Sequence, residues 1–426
     1  MNTPSLTRHS TPATRHPSIE LMSPAGSEAA LAAAIHAGAD SVYFGVGKLN
    51  MRARAANLTL EDLPTVASRC RDAGVKSYLT LNTIVYDDEI DEMRALCDAA
   101  KAAGVSAVIA TDIATIETAR AIGLEVHISV QANVTNFQSL EFYARYADTV
   151  VLARELSLEQ ISNVWKKVQE NNLRGPSGEL IRLELFAHGA LCVAVSGKCF
   201  MSLSQYNNSA NRGACFQPCR RAYRVTDEET GEELVIDNKY VMSPKDICTI
   251  QHLDKITTAG ISVLKIEGRG RSADYVATVT RVYREALDAL AAGTYTPEKF
   301  DPWIAELSKV FNRGFWHGGY YCGEKLGEWS GAADSQATEQ RDEIGILSNF
   351  FCKSNIAEFT LKRFPLKNGD TILIEGPTTG ALRQTVEGLR VSGNPAESAQ
   401  PNDVITLQVP QKARRQDKVF LISPRE

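Results

Sequence analysis

Short apolar runs alternate with amphipathic stretches at near-constant spacing from Ile19 to Gly268, and this alternation constrains the fold more than any other feature of the chain. The runs are IELMSPAG, SVYFGV, KSYLTLNT, SAVIATD, EVHISVQAN, TVVLARE, LELFAHGA and, after an interruption, SVLKIEG. Each has the length of a buried strand. The stretches between them, such as SEAALAAAIHAG and SLEQISNVWKKVQE, repeat apolar residues at helical spacing. Gly38, Gly74, Gly104 and Gly123 close helices, while Ser27, Thr59 and Ser157 open them with an acid soon after. Repeated βα units require a parallel sheet covered by helices. Eight strands in series predict a TIM-like (βα) barrel, incomplete or irregular at the interruption, in preference to an open doubly wound sheet. No strand runs into GxGxxG, which counts against a dinucleotide-binding fold.

At 426 residues the chain is too long for one ordinary core. Residues 1–18 read as a disordered tail, 19–324 as the barrel domain with a Cys-rich insertion over 193–240, and 325–341 as a linker. From 342 to 426 the period changes to two, in IGILSNFF, IAEFTLKR, DTILIEG, RQTVEGLRV, DVITLQVP and DKVFLIS. That pattern predicts a small antiparallel β-barrel domain. The net charge of −5 excludes a generally basic nucleic-acid binder but leaves room for a local basic groove. No apolar run reaches the roughly 18 residues of a membrane span. The first 17 residues carry no acid and no apolar core, so they do not form a secretory signal, and a cytoplasmic protein is expected.

In a βα barrel, chemistry sits at the carboxyl ends of the strands. Reading the sequence there gives Ser23, then Asn50, Arg52, Arg54 and Asn57, then Asn82, Asp112, Ser129, Gln131, Asn133, Arg154, Glu155, His188, Lys265, Glu267 and Arg269. Arg52, Asn82, Gln131, Arg154, His188, Lys265, Glu267 and Arg269 are the candidate pocket residues. Convergence of Arg52, Arg154 and Arg269 predicts a site for a small anion, because the guanidinium fork matches carboxylate and phosphate.

Four of the nine cysteines, Cys192, Cys199, Cys215 and Cys219, fall within 28 residues, and Cys248 follows in SPKDIC. Their gaps of 6, 15, 3 and 28 residues contain no CxxC pair. Irregularly spaced thiols on loops favour an iron–sulfur cluster over zinc, which prefers paired knuckles, and over redox thiols or disulfides. Cys192, Cys199 and Cys215 are taken as cluster ligands. Cys248 is preferred to Cys219 as the fourth because it precedes a helix whose start would face the barrel mouth. Cys70, Cys97, Cys322 and Cys352 read as inert. No HExxH or GxSxG motif supports a hydrolase.

The segments LELFAHGALCVAVSGKCFMS, NRGACFQPCR, SPKDIC, LKIEGR and FNRGFWHGGYY resemble peptidase family U32, the collagenase-like proteins, over the chain from Ile19 onward. The family name implies proteolysis and carries no catalytic residues over. Members of the family are also linked to 5-hydroxylation of the tRNA wobble uridine, to hydroxylation of a ribosomal RNA cytidine and to oxygen-independent hydroxylation in ubiquinone synthesis. The resemblance therefore implies a [4Fe-4S] cluster, prephenate (a small dicarboxylate) as oxygen donor, and tRNA, or secondarily ribosomal RNA, as partner. It also implies no membrane, and assembly with itself or with a paralogue. DTILIEGP and RQTVEGL are similar to the tRNA-hydroxylating branch. Lys362, Arg363, Lys367 and the run KARRQDK at 412–418 are then candidate phosphate contacts, or else ordinary solvated charges. A peptidase, and a metal-bound RNA-binding or assembly module, stand as alternatives.

Overall fold

The computed structural model describes residues 19–54, 58–224, 226–232, 242–317, 328–332 and 334–425. Asn57, Cys322 and much of the expected hairpin after Tyr223 lie outside the described residues. Strands β1 (Glu20–Pro24), β2 (Ser41–Phe44), β3 (Lys76–Leu81), β4 (Ala107–Ala110), β5 (Glu125–Ile128), β6 (Thr149–Val151) and β7 (Arg182–Gly189) pair in parallel in chain order. A short β8 (Asp246–Cys248) follows, then β9 (Ile261–Ile266), which pairs in parallel with both β7 and β1. Eight parallel strands thus close a ring. β8 lies outside it, antiparallel to the end of β7, and carries the two-residue β10 (Phe315–Trp316).

Helices α1 (Glu28–His36), α2 (Leu63–Asp72), α3 (Ile90–Ala103), α4 (Ile113–Ala121), α5 (Phe137–Ala144) and α6 (Leu158–Glu170) connect successive strands. Their starts follow local chemistry. Ser27 accepts the Ala30 N–H, and Ser157 with Gln160 forms a reciprocal capping box. α2 starts later than Thr59, because the Thr59 N–H and hydroxyl both bond Asp62 and form a turn ahead of the helix. After β7 come α7 (Met201–Tyr206) in the Cys-rich insertion, α8 (Leu253–Thr258) before β9, and the long α9 (Ala273–Ala291) and α10 (Phe300–Ser308) after it. No helix among the described residues is long and apolar enough to cross a membrane.

Two layers of core follow from strand alternation. The outer layer joins strands to helices, and Met22, Tyr43, Tyr78, Ile109 and Val263 fill the ring itself. Below them, near the amino ends of the strands, Glu20 accepts from Tyr78 at 2.7 Å and pairs with Arg182 at 2.9 Å. Burial works to raise Glu20, but Arg182, Lys76 and His127 hold it at about 2, so it stays ionised inside the ring.

The C-terminal region is antiparallel throughout. β11 (Glu339–Phe351), β12 (Ile356–Thr360), β14 (Thr371–Gly376), β15 (Gly380–Thr385), β16 (Arg390–Val391), β17 (Asn394–Pro395), β19 (Val404–Gln408) and β20 (Lys418–Pro424) form one sheet in the order β15-β14-β20-β11-β12-β19-β16-β17. A separate pair joins β13 (Leu366–Lys367) to β18 (Ser398–Ala399). The sheet encloses its own core around Phe359, Ile374 and Leu407. β15 seats this region on α1 of the barrel. At the contact, Gly380 has φ +73°, and a Cβ there would lie 2.8 Å from the Ala33 nitrogen.

Candidate functional site

Alternation along β7 turns Glu184 and Phe186 into the barrel. Between Phe186 and His188 the register against β9 shifts, so that His188 pairs with Ile266 directly after Phe186 has paired with Lys265. An extra residue at this point reverses the face presented beyond it. His188 therefore leaves the interior and is buried against Tyr283 of α9 and Phe315, with ring centroids 5.4 and 5.5 Å away. Burial, reinforced by His317, lowers it to about 3 and keeps the ring neutral. The expectation that His188 faces the pocket is corrected for this reason.

At the carboxyl ends of the strands a cavity of about 540 Å³ opens. Among the described residues, seven arginines (Arg52, Arg54, Arg154, Arg220, Arg269, Arg271 and Arg313) and Lys265 line it, against two carboxylates, Glu267 and Asp334. Arg52 Nη2 lies 2.5 Å from Glu267 Oε1, and the Tyr43 hydroxyl donates to Ile266 O at 2.8 Å. Burial works to raise Glu267, but Arg52, Arg154 and Arg269 hold its carboxyl at about 2. Among the described residues, Arg269 donates to two neutral oxygens, Asn50 Oδ1 at 2.9 Å and Thr80 Oγ1 at 2.7 Å, and burial lowers it to about 10. Lys265 donates to Glu184 Oε1 at 2.8 Å and sits 4.6 Å from the Tyr43 ring centroid.

Arg154 lies over the Phe186 ring at 4.3 Å, and its buried Nε has no hydrogen-bond partner. Arg271 and Arg313 both lie on Phe311, at 3.4 and 4.9 Å. Arg313 is 7% exposed, pairs with buried Asp246 at 3.6 Å, and also leaves Nε without a partner. Buried cations held by neutral or aromatic partners are costly until an anion joins them. Such a wall has the charge to receive an anion.

Four further expected positions divide between the cavity and the surrounding frame. Asn82 and Gln131 line the cavity, and Asp112 instead caps α4 by accepting the Ala114 N–H. Ser23 bonds Thr280 of α9 at 2.7 Å and faces away from the cavity. Sequence reading missed Arg220, Arg313 and Phe311. The only signal for them was an arginine directly after Cys219 and an FNR triplet that reads as part of an aromatic cluster. On the C-terminal sheet, Lys362 and Lys418 both pair with Glu343, whereas Arg414 and Arg415 are exposed.

Cys192, Cys199, Cys215 and Cys219 all line the cavity, on the loop and short-helix segments that follow β7. Burial raises Cys219 to about 11, against Arg220, which pulls it down. Cys248 does not line the cavity. It is the last residue of β8, fully buried opposite His188, and burial pushes its thiol up to about 12. The sequence preference for Cys248 over Cys219 is corrected by this placement: what reads as a helix approach is a strand packed behind β7.

Among the described residues, no three His, Cys, Asp or Glu side chains are gathered at metal-holding distance. The donor set nevertheless fits an iron–sulfur cluster in kind. Four thiols line one space on irregularly spaced loop and short-helix positions, with Arg54 and Arg220 in the same wall to offset thiolate charge. An oxygen-seeking cation would find no comparable set of carboxylates there.

The chain is 50% identical over 408 residues to a protein named collagenase from Porphyromonas gingivalis, covering 96% of this chain and 98% of that one. It is 31% identical over 409 residues to a tRNA hydroxylation protein of Bacillus subtilis, covering 92% of each. It is 33% identical over 383 residues to a 23S rRNA 5-hydroxycytidine synthase of Escherichia coli, covering 87% of this chain and 54% of the relative. The sequence model of peptidase family U32 matches residues 26–331, which cover the barrel from α1 onward, the Cys-rich insertion and all the cationic residues of the cavity wall. The chain belongs to peptidase family U32.

Proposed function

We propose that the protein is an iron–sulfur-dependent RNA-modifying enzyme, and that its reaction is the prephenate-linked 5-hydroxylation of the tRNA wobble uridine. The observation that carries this reading is the meeting of four thiols and an arginine-rich wall in one cavity at the barrel mouth. Cys192, Cys199, Cys215 and Cys219 would hold a [4Fe-4S] cluster, which when bound would supply electron transfer. Arg154 and Arg271, which lie on the Phe186 and Phe311 rings, would take the carboxylates of the donor, with Arg313, already paired to Asp246, beside them. The ion pair of Arg52 with Glu267 fixes one side of the cavity and leaves the carboxylate ionised across the neutral pH range. Names of relatives at 31% and 33% identity support RNA hydroxylation.

The name of the 50%-identical relative supports a second reading, peptide hydrolysis. Against it, His188 is turned out of the cavity and Cys248 is buried behind it, so neither forms a nucleophile–base pair facing the site. Nucleoside mass spectrometry of tRNA from a deletion strain, complemented with wild-type protein or with Cys219→Ala, separates the readings. We expect 5-hydroxyuridine-derived nucleosides to vanish on deletion, to return with wild type, and to stay absent with Cys219→Ala. Unchanged nucleosides on deletion would contradict the proposal.

A further inference from the structure

Beside the main cavity lies a second one of about 170 Å³, lined by Asn82, Ile84, Thr111, Gln131, Ala132, Tyr143, Ser196, Gly197, Lys198 and Asn211. Asn82, Gln131, Ser196 and Gly197 belong to both, so the two adjoin through a common wall. Their chemistry differs sharply. The main cavity is crowded with arginine, whereas the side cavity holds amides, hydroxyls, one aromatic ring and one aliphatic chain, with the exposed Lys198 its single charge. Such a lining suits a neutral planar group with a hydrogen-bonding edge. The volume admits a single ring and not a whole nucleoside.

The hydrogen-bond polarity of this wall is set by the backbone. The Met51 N–H, which can only donate, bonds Asn82 Oδ1 at 3.2 Å. That contact fixes the Asn82 amide, so its Nδ2 points the other way, at 3.4 Å from both Ser129 Oγ and Gln131 Oε1. The Ser129 hydroxyl also donates to Gln131 Oε1. Gln131 therefore has its oxygen committed, which leaves Nε2 as its free donor on the wall shared by the two cavities. A fixed donor recognises a carbonyl oxygen and disfavours an exocyclic amine. Tyr143 and Ile84 supply the faces against which a ring would pack.

We infer that the side cavity is a pyrimidine-base subsite, in which Gln131 Nε2 donates to the ring carbonyl at position 4 and Tyr143 packs on the ring. It selects uracil, which carries carbonyls at both positions 2 and 4, over cytosine, which carries an amine at position 4. Enzymes that modify bases take the target out of the stack and read its edge in such a pocket. The inference rests on the proposal that the substrate is RNA, and it assigns the base and the anionic donor to separate, adjoining chambers.

The test uses the full-length protein and two fluorescent single-stranded RNA oligonucleotides that differ only in a central uridine or cytidine, with binding read by anisotropy. Wild type should bind the uridine oligonucleotide about tenfold more tightly, the size of one recognised hydrogen bond to a base edge. Gln131→Leu should bring the two affinities together by weakening uridine alone. Gln131→Glu, whose carboxylate accepts from an amine, should shift the preference towards cytidine. Tyr143→Ala should weaken both by about tenfold through lost stacking. Circular dichroism checks that each variant is folded. Equal binding of the two oligonucleotides by wild type, or a uridine preference that survives in both folded Gln131 variants, would overturn the subsite. Failure to bind either RNA would overturn the RNA reading itself.

Discussion

His188 shows how one residue's position sets a measurable property of the fold. Burial keeps its ring neutral to about pH 3, while in the unfolded chain it takes a proton near its ordinary 6.5. Between these values the unfolded state binds the extra proton, so stability is full above pH 6.5 and falls as pH drops through the window. Going from pH 7 to pH 5 should cost about 2 kcal/mol through this group. Urea unfolding at the two pH values should show His188→Gln losing less on acidification than wild type by about that amount. An identical loss in both would mean that the ring is not held neutral. At this scale the sequence was partly legible. Arg52, Arg154 and Arg269 stand at strand ends, and their position in the barrel period is enough to place them on one cavity. The outward turn of His188 was not legible, because it depends on a register shift between β7 and β9, strands separated by more than 70 residues of chain.

At the scale of elements, the barrel strands and their helices were readable because eight repeats of the same period reinforce one another. β8 was not, since three residues carry no period, and its pairing to β7 is what removes Cys248 from the mouth. Asn82 and Gln131 were legible as polar strand ends. Their orientation, fixed by the Met51 N–H from another loop, was not. The docking of β15 on α1 gives a sharp element-scale prediction. Gly380→Val meets both a left-handed backbone and the Ala33 nitrogen, whereas Gly388→Val, at φ +65°, meets the backbone penalty with nothing within 4 Å of its Cβ. Thermal unfolding should show Gly380→Val destabilised by roughly 2 kcal/mol more than Gly388→Val. Equal losses would mean that the contact with α1 carries no stability.

Across the whole molecule, the parallel barrel gives one end to chemistry, and the interruption after β7 places the Cys-rich loops over that end. The other end is filled by the ion network of Glu20, Arg182 and Tyr78, which closes the ring from below. The central claim is that the mouth holds an iron–sulfur cluster on Cys192, Cys199, Cys215 and Cys219. The most direct measurement is iron and acid-labile sulfide content, with the visible absorption spectrum, after anaerobic reconstitution of wild type, Cys219→Ala and Cys248→Ala. Wild type and Cys248→Ala should both load cluster iron and sulfide and turn brown, and Cys219→Ala should lose most of both. Colourless, iron-free wild type, or iron lost in Cys248→Ala and kept in Cys219→Ala, would contradict the account.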